Sequence, residues 1–259
     1  GIEETCSKHG YQIIVAQSGD SYEREREIIE SMRQTRVCGF IVSQAKETTC
    51  YDHFHEVVKD GSPIVFFDRI CTDIITNRVV VDDYTGAFTA TEYLIKTGCH
   101  RICFFGAAMN LEISKNRYNG YRDALLKYKL PVDKDLFRIC DNREEAEKLT
   151  PELMALENRP DGFFTINDDT ALGVLYTCKR LGYNIPDDVS ICGFTDGIRA
   201  KSCDPQLTTV EQRGYDVGVA AATCLIEEYE AEGEEKQKFR NRIIKTKLIV
   251  RGTTKPLTE

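Results

Sequence analysis

The sequence has no long apolar run and no excess of positive charge, and each absence excludes a class of protein. Its apolar runs are far shorter than the eighteen or so residues that a membrane span requires. No basic start followed by an apolar stretch marks a secretory signal. The formal net charge is −8, so we expect no clustered basic face that could neutralise nucleic-acid phosphates. We therefore expect no membrane segment and no direct DNA binding by these residues.

Closely spaced cysteine pairs are also lacking, although the chain has 11 cysteines. No C-x-x-C pair occurs, the count is odd, and Cys103 and Cys192 stand inside apolar runs, where cysteine acts as a small hydrophobic residue. Reduced cysteines of this kind are typical of a cytoplasmic protein. The two-residue spacing of His53 and His55 suits no zinc site. The sequence thus predicts neither a disulfide framework nor a metal, and we expect no cofactor.

Sequence motifs of common enzymes are missing as well. There is no G-x-G-x-x-G loop, no P-loop and no G-x-S-x-G elbow. The paired carboxylates at 82–83 and 187–188 are sequence neighbours, and adjacent strand residues point to opposite faces, so they are poor acid–base partners. We therefore expect a binding protein rather than an enzyme.

Short apolar runs alternate with amphipathic stretches along the whole chain, a pattern typical of parallel strands joined by crossover helices. Two successive series of this kind, in a chain of 259 residues, predict an α/β fold with two doubly wound parallel-sheet lobes. The predicted strands cover residues 11–16, 39–43, 63–69 and 79–83 in the first series, 101–106, 137–140, 162–167 and 189–194 in the second, and 243–250 near the end.

Polar residues follow five of these strands. They are Ser43-Gln44, Asp68-Arg69, Asp82-Asp83, Asn167-Asp168 and Thr195-Asp196. Ligands of open α/β sheets bind beyond the carboxyl ends of the strands. We therefore expect these residues to converge on one ligand cleft between the two lobes.

Several motifs occur in an order and spacing that resemble one family over nearly the whole chain. They are VDDYTGA at 81–87, RYNGY at 117–121, PDGF at 160–163 followed by NDDTALG at 167–173, GYNIPDDVSICGF at 182–194, PQLTTV at 205–210 and LIVRGTT at 248–254. The family is the effector-binding core of LacI-type (lac-repressor-type) bacterial transcriptional regulators.

This resemblance implies a periplasmic-binding-protein-like fold and a sugar-like effector. The implied N-lobe takes residues 1–98 and 207–238, and the C-lobe takes 99–206 and 239–259. DNA would be bound only through an N-terminal helix-turn-helix head, and such cores form homodimers. The head and the family's first N-lobe strand are not among these residues, so we expect a chain that is either truncated or incompletely resolved at its start. A periplasmic sugar-binding protein of a transporter or receptor is the alternative, and the cysteines disfavour it.

The resemblance also implies which residues bind the effector. Arg117 is the first of them, because the several N–H donors of its planar guanidinium group suit hydroxyl or acidic groups of a ligand. The other interpretation is a surface arginine near the start of a helix. Asn167 is assigned to the ligand and Asp168 to capping the following helix, although asparagine also favours that cap position. Thr195 stands where the family commonly has an effector-binding aspartate, and Asp196 follows one position later.

Four further residues complete the predicted site. Thr85 stands where some relatives have a ligand-contacting aspartate. Asp68 and Arg69 end a strand, and either a contact with ligand or pairing with neighbouring residues is compatible with their position. Ser43 follows the strand at 39–43 and is assigned to the same cleft.

Overall fold

A computed structural model describes residues 1–232 and 239–257. The helices are α1 (Ile2–Lys8), α2 (Tyr22–Gln34), α3 (Asp52–Lys59), α4 (Asp83–Lys96), α5 (Glu112–Lys127), α6 (Arg143–Met154), α7 (Asp168–Arg180), α8 (Ile198–Ser202) and α9 (Gly214–Glu230). The strands are β1 (Phe40–Val42), β2 (Ile64–Phe67), β3 (Asn77–Val81), β4 (Ile102–Gly106), β5 (Phe137–Ile139), β6 (Gly162–Thr165), β7 (Ser190–Thr195), β8 (Thr208–Glu211), β9 (Asn241–Ile244) and β10 (Lys247–Ile249). The predicted alternation of strands and helices is confirmed.

The chain forms two compact units, which differ in their sheets. Unit 1 comprises Gly1–Val81 and Arg213–Ile244 and contains a parallel sheet with the order β1-β2-β3-β9. Helices α2 and α3 bury their apolar side chains with those of β1 and β2, in a core that includes Ile29, Phe54 and Phe66. Helix α9 packs against β1, β2 and β3, and α1 packs against α9.

Unit 2 comprises Asp82–Gln212 and Lys245–Glu259 and contains a sheet with the order β10-β8-β7-β6-β4-β5. All neighbouring strands run parallel except β10, which is antiparallel to β8. Strands β4 and β6 are buried along their whole length, as expected of parallel strands that helices cover on both faces. The helices form two closely packed pairs, α4 with α5 and α6 with α7.

The predicted lobe boundaries need correction. The predicted N-lobe ended at residue 98, but α4 belongs to unit 2, where it packs along α5. Gly120 permits this packing, since a β-carbon there would lie 2.4 Å from the carbonyl oxygen of Tyr84. The predicted single strand at 243–250 is in fact two strands: β9 pairs with β3 in unit 1, and β10 pairs with β8 in unit 2.

The strand predicted at residues 11–16 is not formed. The segment forms no regular element, and Ile14 and Val15 are exposed. Within residues 1–232 and 239–257, no strand pairs with it, so its backbone lacks the ladder of hydrogen bonds that defines a strand. This segment and β1 both line an apolar cavity of about 450 Å³ in unit 1. The apolar run at 11–16 therefore indicated neither a paired strand nor buried side chains.

Candidate functional site

Asn167 follows β6 and begins α7. Its backbone is extended, and its Oδ1 accepts a hydrogen bond from Thr170 N at 2.8 Å, which caps the helix. Its Nδ2 donates to the carbonyl oxygen of Asp141 at 2.8 Å. The assignment of the cap to Asp168 was therefore wrong, and Asn167 is the capping residue. Its predicted contact with an effector stays a prediction.

Asp168 instead forms a buried link between two strands and a turn. One carboxylate oxygen accepts a hydrogen bond from the Thr209 hydroxyl of β8 at 2.5 Å. The other accepts from Gly197 N at 2.9 Å, in the turn after β7. Burial raises the pKa of this carboxyl, and the nearby charge of Asp196 acts in the same direction. No sequence pattern reveals this role, because an aspartate before a helix is most often a cap.

The last residue of β7, Thr195, and the first residue after it, Asp196, are the two that depart from the family pattern. Thr195 has φ 143° and Asp196 has φ 60°, conformations that residues other than glycine rarely adopt. The Thr195 side chain is exposed. Asp196 lies with Oδ1 2.6 Å from Arg251 Nη2 and Oδ2 3.2 Å from Lys201 Nζ. The Asp196 carboxylate is thus neutralised by two cations of unit 2.

Arg117 is buried, so the alternative of a surface arginine is wrong. Its Nε and Nη2 each lie 2.7 Å from Asp83 Oδ1, and its Nη1 donates to the carbonyl oxygen of Ile166. The centre of its guanidinium lies 3.7 Å from the ring centroid of Phe194. Arg117 therefore ties α5 to the start of α4 and to the strand ends of β6 and β7.

Thr85 lies in the first turn of α4 and is exposed. Its backbone N donates to Asp82 Oδ1 at 3.0 Å, so Asp82 is the cap of this helix. Arg117, Thr85, Asn167 and Thr195 all belong to unit 2. Three of them lie at carboxyl ends of unit 2 strands: Asn167 follows β6, Thr195 ends β7, and Arg117 contacts the residue after β6.

The other three predicted residues come together in unit 1. Strands β1 and β2 are parallel neighbours, so Ser43 and Asp68 follow strands that end at the same edge of the sheet. Asp68 has φ 56°, and Arg69 pairs with Asp20. The carbonyl oxygen of Arg69 accepts from Gln44 N at 3.1 Å, which joins the two strand ends directly.

Buried polar atoms near the end of β1 add a second observation. Ser43 Oγ and Gln44 Oε1 are buried and have no hydrogen-bond partner among the described residues. Such atoms are costly unless something satisfies them, and a ligand or water can do so. The sequence placed both Ser43 and Gln44 at a strand end, but only Ser43 was assigned to the ligand, because a strand-end glutamine carries no signal of its own.

Glu25 of α2 holds the loop that follows these residues. Its buried carboxylate accepts hydrogen bonds from Ala45 N, from the Thr48 hydroxyl and from His53 Nε2, at 2.5, 2.6 and 3.0 Å. These three hydrogen bonds hold the segment that follows β1 to α2, a helix of the same unit. No pattern in the sequence marks Glu25, because it stands among several exposed glutamates of the same helix.

The described part of the chain has neither a cluster of metal ligands nor a membrane-spanning helix. No group of three or more His, Cys, Asp or Glu side chains there is arranged to hold a metal ion. No described helix is both long and apolar enough to cross a membrane. Burial raises the pKa of Cys99, Cys140 and Cys178 to about 12, so these thiols stay protonated at neutral pH.

Known proteins are similar to this chain in sequence and in fold. Residues 91–254 match the family described as periplasmic binding protein-like domain. The ribose operon repressor of Halalkalibacterium halodurans is 31% identical over 258 residues, 98% of this chain and 73% of that protein. The transcriptional repressor PurR of Vibrio parahaemolyticus is 28% identical over 99% of this chain and 76% of its own.

A solved structure agrees in fold. The LacI family transcriptional regulator from Enterococcus faecium, crystallised with bound ribose, superimposes with a TM-score of 0.85. The superposition covers 99% of this chain and 92% of that chain, at 24% sequence identity. The fold and the sheet ends described above are therefore those of a periplasmic-binding-protein-like domain.

The chain belongs to that family, and within it to the LacI-type transcriptional repressors. It is the sensing core of such a regulator rather than the binding protein of a transporter, because its relatives are repressors.

Proposed function

We propose that this core binds a sugar or sugar-like effector through the strand ends of both units and thereby controls DNA binding. The DNA is contacted by another part of the protein, since the net charge of this chain is −8. The regulator works in the cytoplasm as a homodimer and catalyses no reaction.

One observation carries the proposal: in a chain related to repressors, each unit brings polar side chains to the carboxyl end of its parallel strands. In unit 1 these are Ser43, Gln44 and Arg69, and in unit 2 they include Thr195. Hydroxyl, amide and guanidinium groups provide the donors and acceptors that sugar hydroxyls require. The buried, unpartnered oxygens of Ser43 and Gln44 are groups that a ligand hydroxyl would satisfy.

Ribose is the first effector to test. A relative is called a ribose operon repressor, and ribose is bound in a similar structure. The apolar cavity of unit 1 does not support this proposal, because aliphatic and aromatic side chains form most of its lining. Ser43 is one of the few polar residues of that lining, so the effector is expected at the strand ends, where Ser43 stands, and not among the aliphatic and aromatic side chains of the cavity.

A thermal-shift screen tests the proposal. Ribose, cellobiose, sugar phosphates and purine bases are added separately, and a ligand at a hundredfold excess over its Kd stabilises the folded state by about 2.7 kcal/mol. We expect one sugar to raise the Tm, with its Kd then measured by calorimetry. If none of the sugars raises the Tm, the proposed sugar effector is wrong.

Thr195→Val tests whether the site lies at the strand ends. Removal of the exposed hydroxyl is expected to weaken binding of the identified sugar about tenfold, since one hydrogen bond to ligand is lost. Thr35→Val is the matched control, because Thr35 is an exposed threonine at the end of α2 and its hydroxyl bonds within that helix. Equal affinities of the two variants would contradict the placement of the site.

A further inference from the structure

Asp168 is buried under the turn Thr195–Gly197 in a way that helix capping does not explain. Its carboxylate accepts hydrogen bonds from Gly197 N and from the Thr209 hydroxyl. The helix cap itself is formed by Asn167. Burial of the Asp168 carboxylate costs free energy of desolvation, and this cost is not offset by capping of α7. The hydrogen bonds from the turn and from β8 offset it instead.

The backbone above this carboxylate is strained. Thr195 is β-branched and has φ 143°, and Asp196 has φ 60°. Strained residues of this kind persist only when surrounding contacts hold them, and they concentrate at binding sites. The contacts that hold this turn are the bond from Gly197 N to Asp168, the ion pairs of Asp196, and the bond from Gln212 N to the carbonyl oxygen of Thr195.

The sequence of β7 leaves room for this arrangement. A β-carbon at Gly193 would lie 2.5 Å from Asp168 Oδ1, so glycine at this position lets the carboxylate approach the strand. The carboxylate therefore lies within the end of the sheet, beneath the backbone that presents Thr195.

We infer that Asp168 is a positioning residue, whose carboxylate holds the turn Thr195–Gly197 in the conformation that binds the effector. The inference rests on the proposed function, since it assigns Asp168 to the same site. Asp168 does not contact the effector; it acts through the orientation of the Thr195 hydroxyl and of the backbone at Asp196.

The test compares Asp168→Asn with two controls. The amide of this variant fills the same space and retains one acceptor, so the chain is expected to fold, but the charged acceptor is lost. Asp187→Asn removes the same charge from an exposed position. Thr209→Val removes the bond to β8 and leaves the bond between Asp168 and Gly197 in place.

The first readout is the exchange of backbone amide hydrogens by NMR, which needs no ligand. We expect the Gly197 amide to exchange about tenfold or more faster in Asp168→Asn, because a charge-assisted hydrogen bond is weakened. In Asp187→Asn and Thr209→Val, the exchange of the Gly197 amide relative to the amides of β7 stays as in the parent protein. Unchanged exchange in Asp168→Asn would overturn the inference.

The second readout is the affinity for ribose by calorimetry. We expect Asp168→Asn to raise the Kd about tenfold, while Asp187→Asn leaves it unchanged. Faster exchange at Gly197 with an unchanged Kd would show that Asp168 holds the turn but that this does not contribute to effector binding. That result would overturn the assignment of Asp168 to the effector site. If the parent protein binds none of the screened sugars, the proposed function fails, and the exchange rates still decide whether Asp168 holds the turn.

Discussion

Arg117 shows how one buried side chain can serve the fold at a position where the family pattern suggests ligand contact. Its guanidinium pairs with the buried Asp83 and donates to Ile166 O, so its charge is balanced inside unit 2. The motif RYNGY then has a structural meaning: Arg117 pairs with α4, Gly120 lets α5 approach α4, and the Tyr121 hydroxyl donates to the carbonyl oxygen of Ile102 at 2.7 Å.

Substitution of Arg117 is therefore expected to affect stability even without effector. Arg117→Ala removes the ion pair of a carboxylate that is 3% exposed, and we expect a loss of about 3 kcal/mol in the free energy of unfolding. Urea denaturation of the ligand-free protein measures it. Arg122→Ala is the control, because Arg122 lies on the same helix and its side chain is 40% exposed, so its pair with Asp123 contributes about 0–1 kcal/mol. Equal losses for both variants would contradict the structural role of Arg117.

The contact between helices α4 and α5 is expected to make the free energy of unfolding depend on pH. Glu92 of α4 accepts hydrogen bonds from Lys127 and Tyr128 at the end of α5 and from Lys96, and these contacts, that of Lys127 above all, lower the pKa of Glu92 to about 2. A lowered pKa means that the ionised form is favoured in the folded state. The stabilisation is thus complete above the unfolded value near 4.5 and is lost as the pH falls towards 2.

Glu92→Gln tests this contact between the helices. The variant is expected to be less stable than the parent protein above pH 5 by about 1–2 kcal/mol, and the difference should shrink between pH 4.5 and 2. Urea midpoints measured across this range give the comparison, with the exposed Glu152→Gln as control. A difference that does not change with pH would show that the contribution of Glu92 is not electrostatic.

At the level of strands, sequence reasoning succeeded where burial alone decides the element. The apolar runs of β4, β6 and β7 were predicted within two residues, because strands buried on both faces have no polar positions. It failed at residues 11–16, because strand formation requires a hydrogen-bonded neighbour that a local pattern cannot reveal. It also failed at 243–250, where the two residues between β9 and β10, Lys245 and Thr246, separate strands of different sheets and differ little from strand residues.

The position of the candidate site at the strand ends could be predicted from the sequence, but the roles of its individual residues could not. Polar residues after apolar runs identified the strand ends, since parallel strands end at a common edge. The roles of Asn167 and Asp168 were exchanged, because the sequence cannot tell which of two adjacent polar residues has the extended backbone of a cap. The link from Asp168 to Thr209 joins residues 41 apart in the chain, and no local pattern contains it.

The whole chain passes between its two units after residues 81, 212 and 244, so each unit is assembled from separate segments. Each unit nevertheless has its own sheet, and each sheet ends in polar residues of the kind that bind hydroxyl groups. An effector that contacts only one sheet would stabilise only that unit. An effector that contacts both would couple their unfolding, because its binding free energy is lost when either unit opens.

Hydrogen–deuterium exchange by mass spectrometry distinguishes these cases. With the sugar that gives the largest thermal shift, we expect slower exchange both in the unit 1 loops at 43–48 and 68–70 and in the unit 2 turn at 195–199. The opposite ends of the same strands serve as internal controls, since effector bound at the carboxyl ends leaves their exchange unchanged. With the sugar bound, the protein should unfold in urea in a single transition. The urea concentration at its midpoint should be higher than for the ligand-free protein. Protection confined to one unit would contradict a shared effector and would place the sugar on that sheet alone.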